Sequence, residues 1–303
     1  MSKPLDRLAL LETFVRIADR GSISGAARDL GMAQGSASRQ LKDLEERLGI
    51  QLIRRTTHAL TLTDAGLEVL RDARELIARW ETMVERHRHD ADIVRGPLGV
   101  VAPVALGQSH LADVALSFQT AHPQVVLNWR LQDEAIRFAE VGCDCWIKVG
   151  PIPDDTLIVR RLGRIERLVV GTPRIAADLS ERTPDDLESV PFVGLTPFEG
   201  GRITLTSNDG TQRLIRPPVR LATNNILSMK RAVLQGIGAA IMPRWFVAAE
   251  LERGQVEDLL PDWRADTLDI NVGYLPVRHQ PRRLSLFLEA LEAATTAIPG
   301  FTV

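Results

Sequence analysis

The chain has 303 residues, 45% of them hydrophobic and 25% charged, with a formal net charge of −2. That length exceeds the ~100–200 residues of a single domain, so at least two globular units are expected. No apolar run approaches the ~18 residues of a membrane span, and two cysteines supply neither a disulfide framework nor a four-ligand metal site; no cofactor is implied.

The opening stretch MSKPLDRLALLETFVRIADRGS is helical in period and studded with Asp6, Arg7, Glu12, Arg16, Asp19 and Arg20, unlike the apolar core of a signal peptide, so a cytoplasmic protein is expected. Leu8, Leu11, Val15 and Ala18 define the inward stripe of a first helix ending near Gly21. Ser24 is placed to cap a second helix, GAARDL, in which Ala26 and Ala27 permit close contact and Gly31 supplies a left-handed stop. A third helix runs from about Ala33 to Gly49. Its inward positions are Ala37, Leu41, Leu44 and Leu48, which leaves Gln34, Ser36, Ser38, Arg39 and Lys42 on the more exposed faces.

Three short helices with a four-residue turn before the last form a helix-turn-helix pattern, whose later helix enters the major groove of duplex DNA. Gln suits an adenine edge, Arg a guanine edge, and Ser either a base or a phosphate. QLIRRTTHALTLT then alternates Leu60 and Leu62 with Thr61 and Thr63, which predicts a two-stranded wing lined by Arg54, Arg55 and His58. Residues 1–62 hold ten Lys and Arg against seven Asp and Glu, whereas the remainder holds twenty-seven against thirty-two, a weak local basic excess. Spacing alone leaves two readings open for these polar residues, DNA contact or a solvated face.

TDAGLEVLRDARELIARWETMVERHRHD is one continuous helical pattern opened by Thr63 as its cap. Val69, Ala73, Leu76, Trp80, Met83 and His87 alternate spacings of four and three, the seam of a coiled coil. A lone helix would leave that seam wet, so a second copy of the chain is the expected partner, with two recognition helices presented to two half-sites. His87 and His89 are two apart and cannot readily share a metal, and read as a solvated end.

At RGPLG, Arg95 to Gly99, the pattern changes. LGVVAP, VVLNWRL and CDCWIKVG read as strands that alternate with helical LADVALSFQTAH and AIRFAEVG, an order that predicts a mostly parallel sheet. Cys143 and Cys145 would share one face of their strand as buried small hydrophobes. RLVVGTP and INVGYLPV are strands suited to cross between two lobes, after which RRLSLFLEALEAAT returns to the first, and a ligand would bind where strand ends face the crevice. Ser109, His110 and Asp113 crowd one helix start and cannot form a catalytic triad, and GIGAAIMP lacks the full dinucleotide fingerprint, so no enzyme is expected.

The stretch SISGAARDLGMAQGSASRQLKDLEERLGIQLIRRTTHALTLTDAG, with Ala26, Ala27, Leu30, Gln34, Ser38, Arg39, Leu44, Glu45, Leu48, Gly49, Leu52, Arg55, Thr56, Leu62, Thr63, Ala65 and Gly66, resembles the signature of the LysR-type transcriptional regulators. GCDCWIKVGPIPDDTLIVRRL, NNILSMKRAVLQGIGAAIMP and LERGQVEDLLPDW are similar to the effector domain of one large LysR subgroup, so the resemblance spans the chain. It implies an α/β protein with three parts. These are an N-terminal winged helix-turn-helix over 1–62, a dimerising linker helix over 63–92, and a two-lobed, periplasmic-binding-protein-like effector domain over 93–303. Lobe I would comprise about 96–167 and 272–303, and lobe II about 168–271. It further implies a double-stranded DNA operator, a small-molecule effector, RNA polymerase and, through dimers of dimers, a tetramer. A cytoplasmic small-molecule-binding protein with only weak or architectural DNA binding is the alternative, and a solute-binding transport protein would need a leader and no DNA module.

Carried onto this sequence, the resemblance places Gln34, Ser36, Ser38, Arg39 and Lys42 in the groove, and Arg55, Thr56 and His58 on the backbone or minor groove, with Arg54 beside them. The seam rests on Val69, Leu76, Trp80 and Met83. The effector cleft should draw on Val104, Leu106, Leu131, Gln132, Lys148, Thr196, Asn224 and Asn225. The two asparagines could equally cap the helix that follows, and Lys148 could hold an anionic effector or pair with a surface carboxylate. Departures from the family are Ala33 and Gly35, where Ser and Pro are common, His58 where the wing often has Arg, and Lys148 where the subgroup often has Arg.

Overall fold

The structure is a computed structural model that describes residues 6–55, 60–87, 94–196, 201–277 and 280–302. Helix α1 (Arg7–Arg20) starts where the Asp6 carboxylate accepts the Leu8 N–H at 3.1 Å, and stops at Gly21 with φ 58°. Helix α2 (Ile23–Asp29) is capped by Ser22, whose hydroxyl accepts the Gly25 N–H at 3.2 Å. The expected cap, Ser24, lies inside the first turn instead, because the helix begins two residues early and buries Ile23. Helix α3 (Gln34–Leu48) runs to Gly49, φ 71°.

These helices share one core. Leu10, Phe14 and Ile17 of α1 pack with Ala26, Ala27, Ala37, Leu41, Leu44, Leu52 and Leu70. The inward stripe of α1 is therefore one step from the expected one: the bulkier Phe14 and Ile17 fill the centre, while Leu11, Val15 and Ala18 flank it. Leu48 is also not inward. It sits in the last turn, beyond the reach of the core, and is 44% exposed. Strands β1 (Ile53–Arg55) and β2 (Leu60–Leu62) form the wing, antiparallel, with Ile53 opposite Leu62 and Arg55 opposite Leu60.

Helix α4 (Asp64–His87) is capped by Thr63, which accepts the Gly66 N–H at 2.9 Å and donates to the Gln51 carbonyl at 2.7 Å. A side chain at Gly66 would overlap the Leu52 carbonyl oxygen, so this close approach of helix to wing requires glycine. The expected seam divides in two. Ala73 is buried and Val69 packs on the head core, because the first turns of α4 are pinned to α1, whereas Leu76, Trp80 and Met83 are 52%, 49% and 44% exposed. Arg74 of α4 meets Asp19 of α1 at 2.5 Å.

The rest of the chain gives β3 (Gly96–Ala102), α5 (Val104–Gly107), α6 (His110–Ala121), β4 (Val125–Leu131), α7 (Phe138–Val141), β5 (Cys145–Val149), β6 (Ile158–Gly171), α8 (Pro173–Ala177) and β7 (Phe192–Leu195). There follow β8 (Ile203–Ser207), β9 (Gln212–Ile215), β10 (Val219–Thr223), α9 (Ile226–Leu234), β11 (Ala240–Pro243), α10 (Arg244–Glu252), β12 (Glu257–Asp258), β13 (Trp263–Tyr274) and α11 (Arg282–Thr295). The main sheet runs β11-β6-β13-β5-β3-β4. Only β3 with β4 and β3 with β5 are parallel; β13 runs antiparallel to both β5 and β6, so the sheet is mixed rather than mostly parallel. The chain leaves the first lobe along β6 and returns along β13, which forces these two long neighbours to run oppositely. The stretch AIRFAEVG keeps only the single turn α7, closed by Gly142 at φ 69°.

Each lobe has cores on both faces of its sheet. In the first, Leu98, Val100, Ile147, Ile270 and Val272 pack under α6 and α11, while Val101, Trp146, Phe138 and Leu157 fill the opposite face. In the second, Val169 packs with Phe192 and Leu205, and its neighbours Leu168 and Val170 with Met229 and Val233, the alternation a doubly covered strand demands. The cysteines do not share a face. Cys143 precedes β5 and packs on one side of the sheet, and Cys145 lies in the core on the other. Burial pushes the Cys143 thiol up to about 12 and raises that of Cys145 well above the ordinary range, so both stay protonated at neutral pH.

Candidate functional site

Two surfaces carry the polar side chains singled out by sequence. The first is the outer face of α3. Ala37, Leu41 and Leu44 bind this helix to the head, and the 3.6-residue period turns Gln34, Ser36, Arg39 and Lys42 to solvent, with Ser38 at the margin. Lys42 makes an exposed i,i+4 pair with Glu46 at 3.3 Å, which contributes little to holding it. No side chain caps Ala33, and a Cβ at Gly35 would meet nothing within 4 Å, so the first turn is held by backbone alone. The far end of α3 is firmer. Glu45 accepts the N–H groups of Leu52 at 2.8 Å and Ile53 at 3.2 Å, locking the wing to the helix. Glu45 is part of the sequence signature, but its role is not legible there, since its partners lie beyond a turn whose path spacing does not show.

Arg54 is exposed on β1, opposite Thr61, because the strand's period of two buries its neighbour Ile53. Arg55 lies on β1 by its backbone; Thr56 and His58 fall outside the described residues. On the other side of the head, Arg20 grips Asp29 through two bonds of 2.5 and 2.7 Å, and the hydrogen bonding holds the Asp29 carboxyl below its usual range.

The second surface is a cleft of about 590 Å³ between the lobes, bounded by the C-terminal ends of β3, β4, β5, β7, β10 and β11 and floored by Ile165 of β6 and Leu268 of β13. Leu106, Gln132, Lys148, Thr196 and Asn224 line it. Leu131 does not; its side chain turns back over Gly107. Val104 and Asn225 are likewise absent from the wall. The Val104 N–H donates to Asp133 at 2.9 Å, and Asn225 caps α9 by accepting the Ser228 N–H at 2.9 Å, the capping alternative raised for it. Asp133, Glu134, Val149, Ile226 and Trp245 also line the cleft but were missed. Trp245 lies in an apolar stretch after a proline that reads as ordinary core.

Lys148 is the cleft's cation. Its ammonium donates to the neighbouring Val149 carbonyl at 3.0 Å, has no carboxylate partner among the described residues, and is held below the ordinary lysine range by burial. The Trp245 ring meets His110 edge-on at 5.6 Å, and its buried indole N–H finds no hydrogen-bond partner among the described residues. Outside the cleft, Glu166 joins Arg244 at 2.7 Å and Arg264 at 3.1 Å, tying α10 to both crossing strands. The Ser109 hydroxyl donates to the Ala105 carbonyl at 2.9 Å, so it is engaged in a helix turn rather than aimed at a base. Among the described residues no group of three or more His, Cys, Asp and Glu could hold a metal ion, and no helix is long and apolar enough to cross a membrane.

Both halves match known family models: residues 8–67 that of the bacterial regulatory helix-turn-helix protein, lysR family, and residues 91–296 that of the LysR substrate binding domain. The chain is 30% identical over 297 residues to the HTH-type transcriptional regulator PtxR of Pseudomonas aeruginosa, covering 96% of this chain and 95% of that protein. It is 29% identical over 291 residues to the transcriptional regulator YhjC of Escherichia coli (strain K12), covering 95% and 97%. The full-length LysG structure from Corynebacterium glutamicum, with bound effector Arg, superposes with a TM-score of 0.64 at 20% identity, covering 95% of this chain and 98% of that one. A recognition helix and wing on one compact head, joined by a long helix to a cleft between two α/β lobes, thus meet family matches over both parts: the chain belongs to the LysR family of bacterial HTH-type transcriptional regulators.

Proposed function

We propose that the exposed face of α3 reads a double-stranded DNA operator and that a small molecule in the cleft controls it. The carrying observation is that Gln34, Ser36, Arg39 and Lys42 stand on one solvent-facing side of a helix whose opposite side is anchored in the head core. Gln34 and Arg39 suit base edges, Ser36 and Ser38 bases or phosphate, and Lys42 with the wing residues Arg55, Thr56 and His58 the backbone. On this reading residues 1–62 are the DNA-binding head, 63–92 the dimerising helix and 93–303 the effector domain of a cytoplasmic protein.

Leu76, Trp80 and Met83, continued by Leu8 and Leu11 of α1 along the same groove, form the apolar surface on which a second copy would pair. Two such dimers would form a tetramer, and a cleft ligand that favours one arrangement of the heads would change DNA bending and RNA polymerase recruitment. LysG was solved with an effector bound, which supports assigning that role to the corresponding domain here.

Arg39→Ala should weaken operator binding by about 1–3 kcal/mol and relax sequence preference at one base pair, while leaving the melting temperature unchanged. Quantitative footprinting on a set of single-base operator variants checks this. An equal loss on every sequence would sink the base-reading role of Arg39.

A further inference from the structure

Strands β6 and β13 carry the chain between the lobes, and the ladders on either side show where that joint is thinnest. In the second lobe β11 pairs with β6 from Arg167 onward, and β8 pairs with β13 as far as Ala265. In the first lobe β5 pairs with β13 from Ile270 onward. Between these limits the β6–β13 ladder breaks register twice, between Ala265 and Leu268 and between Ile270 and Asn271. A two-stranded ribbon twists more freely than a wider sheet, and an irregular one bends at its bulges, so this short stretch is the hinge. A third strand lies over it. After α11 the chain turns back at Gly300, φ 73°, and β14 (Phe301–Thr302) pairs antiparallel with β6, Phe301 opposite Ile165 and Thr302 opposite Arg164. The same two β6 residues face Leu268 and Asp269 of β13 on their other side, so β14 covers the ladder between the two register breaks.

The segment around β14 touches both lobes. Ile298 is buried in the core of the first lobe, and Phe301 packs against that core. The Gly300 carbonyl accepts the Glu166 N–H at 2.8 Å, and a Cβ on Gly300 would lie 2.9 Å from that of Arg244, the first residue of α10 in the second lobe. The Glu166 carboxylate in turn holds Arg244 at 2.7 Å and Arg264 of β13 at 3.1 Å. On β6 the fit requires glycine at 163, where a Cβ would stand 2.8 Å from the Phe301 ring and 2.9 Å from the Thr302 carbonyl oxygen. We propose that residues 299–302 form a strap across the hinge, which turns a flexible two-stranded ribbon into a three-stranded one and so fixes the angle between the lobes. Opening or closing of the cleft must twist or unseat β14, and the strap therefore sets how far the lobes move. The assignment holds whatever the cleft binds.

The test uses the full-length protein with spin labels at two exposed positions, Asp155→Cys in the first lobe and Asp178→Cys in the second. Labelled chains are diluted into unlabelled ones so that distances within one chain are read, against a parent chain treated in the same way. Ending the chain after Ile298 should broaden the distribution of distances between the labels. Amides of Leu268, Asp269 and Ile270, which lie on β13 and do not pair with β14, should exchange roughly 2–10-fold faster, the factor set by one backbone hydrogen bond. Gly163→Ala, which drives Phe301 off while adding a better strand former, should reproduce both effects. Thr302→Ala, which changes an exposed side chain and keeps the backbone pairing, should produce neither. If the shortened chain fails to fold, Gly163→Ala decides the same point, and the wild type supplies a further check. Its Glu166 amide, covered by the Gly300 carbonyl, should be protected, and exchange there at the rate of an open peptide would show the strap unseated and overturn the proposal. An unchanged distance distribution after truncation or Gly163→Ala, or one broadened equally by Thr302→Ala, would overturn it as well.

Discussion

Gln34, Ser36, Ser38, Arg39 and Lys42 lie along one side of one helix, whereas Leu106, Gln132, Lys148, Thr196 and Asn224 reach the cleft from at or beyond the ends of five different strands. The first set is displayed by a head with its own core, Leu10, Phe14, Ile17, Leu41 and Leu70 among its members. The second exists only when β3, β4, β5, β7 and β10 are all in register. A change of side chain on α3 should therefore alter contacts with DNA and leave the fold intact, while the cleft is sensitive to any change that shifts a strand. The two regions also differ in what their backbones tolerate. The close approach of α4 to the wing admits nothing larger than Gly66, but the start of α3 has open space around Gly35.

The largest effect is expected from Gly66→Ala. The new methyl would overlap the Leu52 carbonyl oxygen, and relief requires α4 to move off the wing that Thr63 and Glu45 hold in place. The overlap should cost about 2–3 kcal/mol, more than the gain of ~1 kcal/mol that alanine normally brings to a helix. Denaturation followed by amide exchange should show the head opening early while the lobes keep wild-type protection. Simultaneous loss of protection in both would show that the head is not an independent unit.

The same contrast explains what could be read from the sequence. The head was legible almost residue by residue, because Ala37, Leu41 and Leu44 are set by a local period and Gly31 and Gly49 by a local backbone need. Errors there were of one or two residues, as with Ser22 for Ser24, where two serines compete for one cap and burial of Ile23 decides. The two-lobe architecture of the LysR family was legible from resemblance. Strand direction was not, since β13 and β6 look alike in composition whichever way they run, and only the return of the chain makes them antiparallel. In the cleft, Lys148 stood out as a charge at a strand end, whereas Trp245 could not, because its unpartnered N–H is a property of the assembled core. The division of the α4 seam was hidden for the same reason. The heptad spacing continues smoothly through Ala73, but α1 covers only its first part.

A smaller effect is expected at the open end of α3. Gly35 lies in an uncapped first turn, its added Cβ would meet nothing, and its backbone is not in the left-handed region, so Gly35→Ala should stabilise the helix by about 0.5–1 kcal/mol. Amide exchange of residues 36–38 in the free protein should slow by a corresponding 2–5-fold. Unchanged exchange would mean that the turn is already fully formed before DNA arrives, and that the missing serine and proline of the family pattern have no consequence for order.

The smallest effect concerns the seam between the two regions. The Asp19 side chain, 26% exposed, meets Arg74 within the head, and Gly142 of the first lobe packs against the pair, where any larger residue would overlap both side chains. Burial nevertheless outweighs the guanidinium and holds the Asp19 carboxyl above its ordinary range. With the folded-state pKa raised, the native protein binds the proton more tightly than the unfolded chain does. This group's contribution is then fully present below the ordinary aspartate value of about 3.9 and is lost as pH rises through the raised value. Asp19→Asn removes the titration. The stability of the wild type relative to Asp19→Asn, from urea midpoints, should therefore fall as pH is raised from about 4 through that window and level off above it, by an amount that water screening keeps small. A difference that grows with pH would show that attraction to Arg74 outweighs burial, making the pair a clamp between α1 and α4. A falling difference makes the contact one that is weakened at neutral pH.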